Sequence, residues 1–143
     1  MSENKWLLLL IEDDEEDQWL VKKSFSVSET VELKIVANGA EALDYLRDES
    51  QPTPDLILLD LNMPVMDGPT FMGILKEDKD LPKTPTIILT TSDQHEHVQQ
   101  AYDLGAAAYM VKPPSLEEFK DLARRLEDFW CKCVKLPDRK HKG

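Results

Sequence analysis

No stretch of this chain approaches the roughly 20 consecutive apolar residues that a membrane-spanning helix requires, so the sequence offers no transmembrane segment. The opening residues Met1-Ser2-Glu3-Asn4-Lys5 lack the cationic start, hydrophobic segment and small-residue cleavage site of a secretory signal. A cytoplasmic location is therefore expected. Positive charge is also short: 17 Lys and Arg stand against 28 Asp and Glu, a formal net charge of −11. Phosphate backbones are held by Lys and Arg, so neither nucleic acid nor an anionic membrane is expected as a direct partner. A metal ion or a basic protein patch is the better partner for such a chain. Cysteine is scarce. Cys131 and Cys133 form a lone C-x-C with no Cys or His cluster to complete a metal or redox site, and they read as reduced surface thiols. His95 and His97 lack acid or Cys partners at metal spacing and read as exposed residues of a fourth helix. There is no internal repeat and no low-complexity tract. The 143 residues are read as one domain, 1–143, with a core over about 6–130 and an extension over 131–143. That extension ends in Arg139-Lys140-His141-Lys142-Gly143 and is expected to be solvated and disordered.

What the chain does have is a set of short apolar runs separated by amphipathic segments. Leu56-Ile57-Leu58-Leu59 runs straight into Asp60, and Pro64 stops the segment soon after. A run that apolar predicts a strand covered on both faces, as in a parallel sheet. Strands are expected at Trp6–Ile11, Leu33–Val36, Leu56–Leu59, Thr86–Leu89 and Ala108–Val111. Between them, Phe71, Ile74 and Leu75 share one helical face, as do Val98, Ala101 and Tyr102. The last segment gives the clearest stripe, with Phe119, Leu122, Ala123, Leu126, Phe129 and Trp130 together. Punctuation agrees: Asp67-Gly68-Pro69 opens the third helix, Gly105 closes the fourth, and Ser115 with Glu118 forms a capping-box pattern. Alternating strands and helices imply parallel β/α units with right-handed crossovers.

Open α/β sheets bind ligands at the carboxyl ends of their strands. Four features fall there. Glu12-Asp13 follows the first strand, Asp60 the third, Thr90-Thr91-Ser92 the fourth, and Lys112-Pro113 the fifth. Strands that deliver carboxylates to one edge build a cluster of acids, and such a cluster wants a cation.

These residues resemble the receiver domain of bacterial two-component response regulators. The matching motifs are Glu12-Asp13, the D-x-N-M-P segment at Asp60, Asp67-Gly68, Thr90, Tyr109 and Lys112-Pro113, and the likeness runs from about Trp6 to Trp130. A closer resemblance is to the small stand-alone receivers that serve phytochrome histidine kinases. It is carried by Asp80-Leu81-Pro82-Lys83-Thr84-Pro85 through Leu89-Thr90-Thr91-Ser92, and by Leu126-Glu127-Asp128-Phe129-Trp130 with Leu136-Pro137 beyond. The resemblance implies a flavodoxin-like (βα)5 fold, with a parallel five-stranded sheet of order 2-1-3-4-5 and helices on both faces. It implies a phosphorelay function in which Asp60 accepts a phosphoryl group from a sensor histidine kinase, possibly of the phytochrome type, or from a histidine phosphotransfer protein.

The roles have physical reasons. A carboxylate among carboxylates is blunted by a raised pKa, and bound Mg²⁺ (or Mn²⁺) reverses that. Asp13 and Asp60 can each give the cation one oxygen. The resemblance adds the Asn62 backbone carbonyl as a ligand and Glu12 acting through a metal-bound water. Phosphoryl transfer needs positioning and charge neutralisation more than covalent help. Lys112 supplies a point cation for one phosphoryl oxygen, while the Thr90 hydroxyl and the Thr91 backbone N–H suit others. The resemblance further implies a switch, in which Thr90 moves toward the phosphoryl group and the Tyr109 ring turns inward. Ser92 and Asn62 flank the line of water attack. Asp14 and Glu15 fall in the loop or the first helical turn, where acids favour a helix N-terminus.

Three rivals are weaker. An EF-hand starting at Asp13 would have Gln18 where Gly is needed and Ser24 where Glu is needed. An aspartate-nucleophile phosphohydrolase needs a second acid two residues after the nucleophile, and Asn62 stands there. A receiver-like binding module that has lost phosphorylation would not need the complete acceptor set. No basic output segment follows, so the signal is expected to leave through protein–protein contact. A homodimer is expected through the face made by helix four, strand five and helix five.

Overall fold

The computed structural model describes residues 5–135. The apolar runs become five strands: β1 (Trp6–Ile11), β2 (Val31–Val36), β3 (Leu56–Leu59), β4 (Thr86–Thr90) and β5 (Ala108–Val111). The amphipathic segments become α1 (Glu15–Phe25), α2 (Gly39–Arg47), α3 (Gly68–Glu77), α4 (His95–Asp103) and α5 (Leu116–Leu126). All strand pairs are parallel, and the order is β2-β1-β3-β4-β5. This is the doubly wound, flavodoxin-like arrangement expected. Its switch point lies between β1 and β3, where ligands collect in such sheets.

The continuous hydrophobicity of the central strands has a direct cause. Leu9, Ile11, Ile57 and Leu59 turn to one face, into a core with Leu43 and Leu46 of α2, Phe71 and Met72 of α3 and Ala101 of α4. Leu8, Leu10, Leu56 and Leu58 turn to the other face, into a core with Val21 and Phe25 of α1 and Phe119, Ala123 and Leu126 of α5. Successive strand residues point to opposite faces, so a sheet covered twice needs apolar residues at every position. Each fully buried Leu or Ile stabilises the fold by roughly 1.5–3 kcal/mol relative to exposure.

The helix starts follow the sequence signals. Asp67 Oδ1 accepts from the Thr70 N–H at 2.9 Å, and Ser115 Oγ accepts from the Glu118 N–H at 3.3 Å. Asn38 caps α2 through the Glu41 N–H at 2.9 Å, and Glu41 reaches back to the Ala37 N–H at 3.0 Å. Gly105 ends α4 with a φ of 100°, a backbone conformation that favours glycine.

Several expectations need correction. β2 begins at Val31 rather than Leu33, because Val31 and Glu32 pair with Trp6 and Leu7 of β1. Glu32 is exposed on this edge strand, where a polar side chain is tolerated. β4 extends to Thr90, which pairs with Val111. The α5 stripe does not run on to Phe129: the helix widens into a π-turn over Glu127–Cys131. The change of pitch leaves Phe129 57% exposed, while Trp130 and Cys131 pack against the second core. Cys131 is thus half-buried rather than a surface thiol. Tyr102 is exposed rather than sharing the buried face of Ala101. Leu136-Pro137 and the basic ending lie outside the described residues.

Candidate functional site

Strand register builds the site. Ile11 pairs with Leu59, so the next residues, Glu12 and Asp60, emerge side by side. The Asp60 N–H donates to the Ile11 carbonyl at 3.1 Å, and the Glu12 N–H donates to the Val36 carbonyl at 3.1 Å. On the other side of β3, Thr90 pairs with Val111, and the Lys112 N–H donates to the Thr90 carbonyl at 2.7 Å. The strands therefore end in a row of acid, acid, hydroxyl and cation that the ladder holds in place.

Glu12, Asp13 and Asp60 each present a carboxylate oxygen within 4.8 Å of the other two. Glu12 and Asp60 are buried; Asp13 is not. All-oxygen donors at this spacing are the chemistry that Mg²⁺ and Mn²⁺ prefer, so the residues present fit such an ion. The Lys112 side chain is only 7% exposed, and its Nζ lies 2.7 Å from Glu12 Oε1, 2.6 Å from Asp17 Oδ2 and 3.4 Å from Asp60 Oδ2. Burial pushes the Glu12 carboxyl up to about 8, with the Asp60 charge adding to the effect against the pull of Lys112. For Lys112, burial alone would depress the pKa, but Asp17 and Glu12 outweigh it and hold the ammonium above the ordinary lysine range. The lysine stays charged. A buried cation held among acids is where incoming negative charge can be received.

Asp60 also accepts from the Asn62 N–H at 3.3 Å. Thr90 is fully buried, and its Oγ1 lies 3.5 Å from Asn62 Nδ2. Thr91 is exposed at the exit of β4. Tyr109 is half-buried against the first core, and its hydroxyl donates to the Ser92 carbonyl at 2.8 Å. Burial raises its pKa above the usual phenol value. Gly68 lets the β3–α3 loop fold back on itself. A Cβ there would sit 2.7 Å from Leu61 Cα and 3.1 Å from the Asp60 carbonyl oxygen. In the same loop Met66 has a φ of 71°, and its side chain covers Gly39.

The sequence-predicted residues Glu12, Asp13, Asp60, Asn62, Thr90 and Lys112 all meet at this edge. Residues 8–124 match the family described as "Response regulator receiver domain". The chain belongs to this family. It is 35% identical to response regulator Rcp1 of Synechocystis sp. over 137 residues, covering 92% of both chains. The solved structure of the Mn²⁺-bound form of Rcp1 superposes with a TM-score of 0.84 at 34% identity, covering 93% of this chain and 99% of that one. The phosphorylated cyanobacterial phytochrome response regulator RcpA superposes with a TM-score of 0.87 at 32% identity, covering 94% and 99%. This receiver therefore has a response-regulator role in a two-component system, which implies a phosphodonor such as a histidine kinase. Neither the passive binding module nor the phosphohydrolase is favoured. Among the described residues, no helix is long and apolar enough to cross a membrane.

Two features of the receiver's site were not anticipated. Asp17 carries no motif of its own, yet it makes the shortest contact to Lys112. Asp17 is the third residue of α1, and nothing in the local sequence points it at Lys112. His97, expected to be exposed, is half-buried, with its Nδ1 2.5 Å from Ser92 Oγ. Gln94 gives α4 no side-chain cap, and Ser92 Oγ accepts from the Gln94 N–H while also meeting His97.

Proposed function

We propose that Asp60 is the phosphoacceptor of this receiver. The observation that carries the reading is the buried Asp60 carboxylate, with oxygens of Glu12 and Asp13 within 4.8 Å and the Lys112 ammonium 3.4 Å away. A carboxylate oxygen of Asp60 attacks the phosphorus of a phosphohistidine. The P–N bond breaks, its electron pair returns to the imidazole, and an acyl phosphate is left on Asp60. Lys112 receives one phosphoryl oxygen, and the Thr90 hydroxyl and Thr91 N–H receive others. Asp13, Asp60 and the Asn62 carbonyl would hold Mg²⁺ or Mn²⁺, with Glu12 acting through water. Such an ion would supply charge neutralisation to the transferring group.

Thr90 and Tyr109 form the switch on this reading, because they lie on the neighbouring strands β4 and β5 and Tyr109 is tied to the loop that follows Thr90. The donor is a phytochrome-type histidine kinase or a histidine phosphotransfer protein in the cytoplasm, supported by the likeness to RcpA, and residues 1–143 act as one signalling unit. The chain signals through protein contact, including a homodimer across α4, β5 and α5. Tyr102 and Val111 expose apolar surface on that face, 48% and 46% exposed. Tyr102→Glu should lower the solution mass from dimer to monomer; a native protein that is monomeric with and without phosphorylation contradicts the dimer. The main test is phosphotransfer from candidate kinases with Mg²⁺. The native chain should take up label and Asp60→Asn should not. Equal labelling of both overturns the assignment.

A further inference from the structure

The ammonium of Lys112 has three protons to donate. The structure directs them at three carboxylates on three elements: Asp17 of α1 at 2.6 Å, Glu12 after β1 at 2.7 Å and Asp60 after β3 at 3.4 Å. Asp60 has the longest contact of the three. Asp17 is held in place for this job. Its backbone N–H donates to Asp14 Oδ2 at 2.9 Å, which fixes the first turn of α1, and its carboxylate bridges α1 to the loop after β5.

We propose that Asp17 is a positioning residue that keeps the Lys112 ammonium away from Asp60. The inference rests on the reading of Asp60 as phosphoacceptor and Lys112 as its cation. A divalent ion and an ammonium compete for the Asp60 carboxylate. Without Asp17, only Glu12 at 2.7 Å and Asp60 at 3.4 Å remain to the Lys112 ammonium, and a closer ammonium at Asp60 weakens cation binding. With Asp17 in place, Lys112 waits one exchange away. It trades a carboxylate for a phosphoryl oxygen when the phosphoryl group arrives, and never stands uncharged or unpartnered in a buried site.

The competition can be read with Mn²⁺ alone, by calorimetric or paramagnetic titration. Partners that orient a metal site typically change its affinity by about tenfold or more. Asp17→Asn should bind Mn²⁺ about tenfold more weakly, and Asp17→Glu should recover most of that loss. Glu16→Gln removes an exposed acid from the same turn and should stay within about twofold of native. In a Lys112→Ala background, Asp17→Asn should change affinity by no more than about twofold, because the ammonium it positions is gone. The proposal is overturned if Asp17→Asn binds Mn²⁺ as the native protein does, if Glu16→Gln weakens binding equally, or if the loss persists without Lys112. Acetyl phosphate labelling of the native chain runs in parallel. A native chain labelled at Asp60 alongside an unaffected Asp17→Asn removes only the Asp17 role, whereas an unlabelled native chain removes the underlying reading.

Discussion

The two ends of one sheet make the instructive contrast. At the amino end of β1, Trp6, Leu7 and Leu8 meet Phe25, Val31, Leu126 and Trp130 around a narrow apolar cleft. One strand-length away, at the carboxyl end, Glu12 and Asp60 are buried beside an ammonium. The same backbone ladder serves both ends. The apolar end stabilises the fold, and the charged end draws on that stability. A buried ion cluster gains little net free energy because desolvation opposes its attractions. The dry strand interiors make a fixed, strained and charged rim tolerable, including the left-handed Met66 beside it.

The largest break in this contrast should come from the apolar side. Phe71 is fully buried, and Phe71→Ala should lower the unfolding free energy by about 3–5 kcal/mol in urea. A loss below about 1 kcal/mol would mean that the core does not carry the rim. Gly68→Ala tests the join between the two regions. Its new Cβ meets backbone at 2.7 Å, so a loss of about 1–3 kcal/mol is expected, with weaker Mn²⁺ binding as the loop after Asp60 shifts. A stability loss with unchanged Mn²⁺ affinity would separate loop from site.

A smaller effect sharpens the reading of the C-terminal turn. Trp130 and Phe129 stand edge to face, with ring centroids 5.8 Å apart. Only Trp130 packs on the core. Trp130→Ala should therefore destabilise the chain by about 2 kcal/mol, and Phe129→Ala by no more than about 0.5 kcal/mol. The reverse order would place the π-turn wrongly. The smallest effect is chemical. Burial pushes the Cys131 thiol up to about 12, while Cys133 is exposed. The thiolate is the reactive form, so at pH 8 alkylation should mark Cys133 and leave Cys131 slow. Cys131 should gain reactivity as pH rises toward 12 or when the chain unfolds. Equal rates at pH 8 in folded protein would contradict its burial.

Much of this was legible in the residues. Apolar runs covered on both faces announced the parallel sheet, and Asp60 and Lys112 at strand ends announced the site. What escaped detection depended on three-dimensional meetings. Asp17 lies 95 positions from Lys112 in the chain, and no local pattern predicts that pairing. Phe129 kept helical periodicity on paper, but a π-turn altered the pitch and rotated it outward. His97 meets a serine five residues earlier, a contact across the start of α4 that helical periodicity does not reveal. Edge strands such as β2 carry weaker signals, since one side faces water and polar residues such as Glu32 interrupt the run.

The most direct measurement is peptide mapping by mass spectrometry after treatment with acetyl phosphate and Mg²⁺. The account predicts one phosphoryl group per chain, on the peptide that holds Asp60, lost in Asp60→Asn and lost when the divalent ion is chelated beforehand. A phosphoryl group found elsewhere, or none on the native chain, would contradict it.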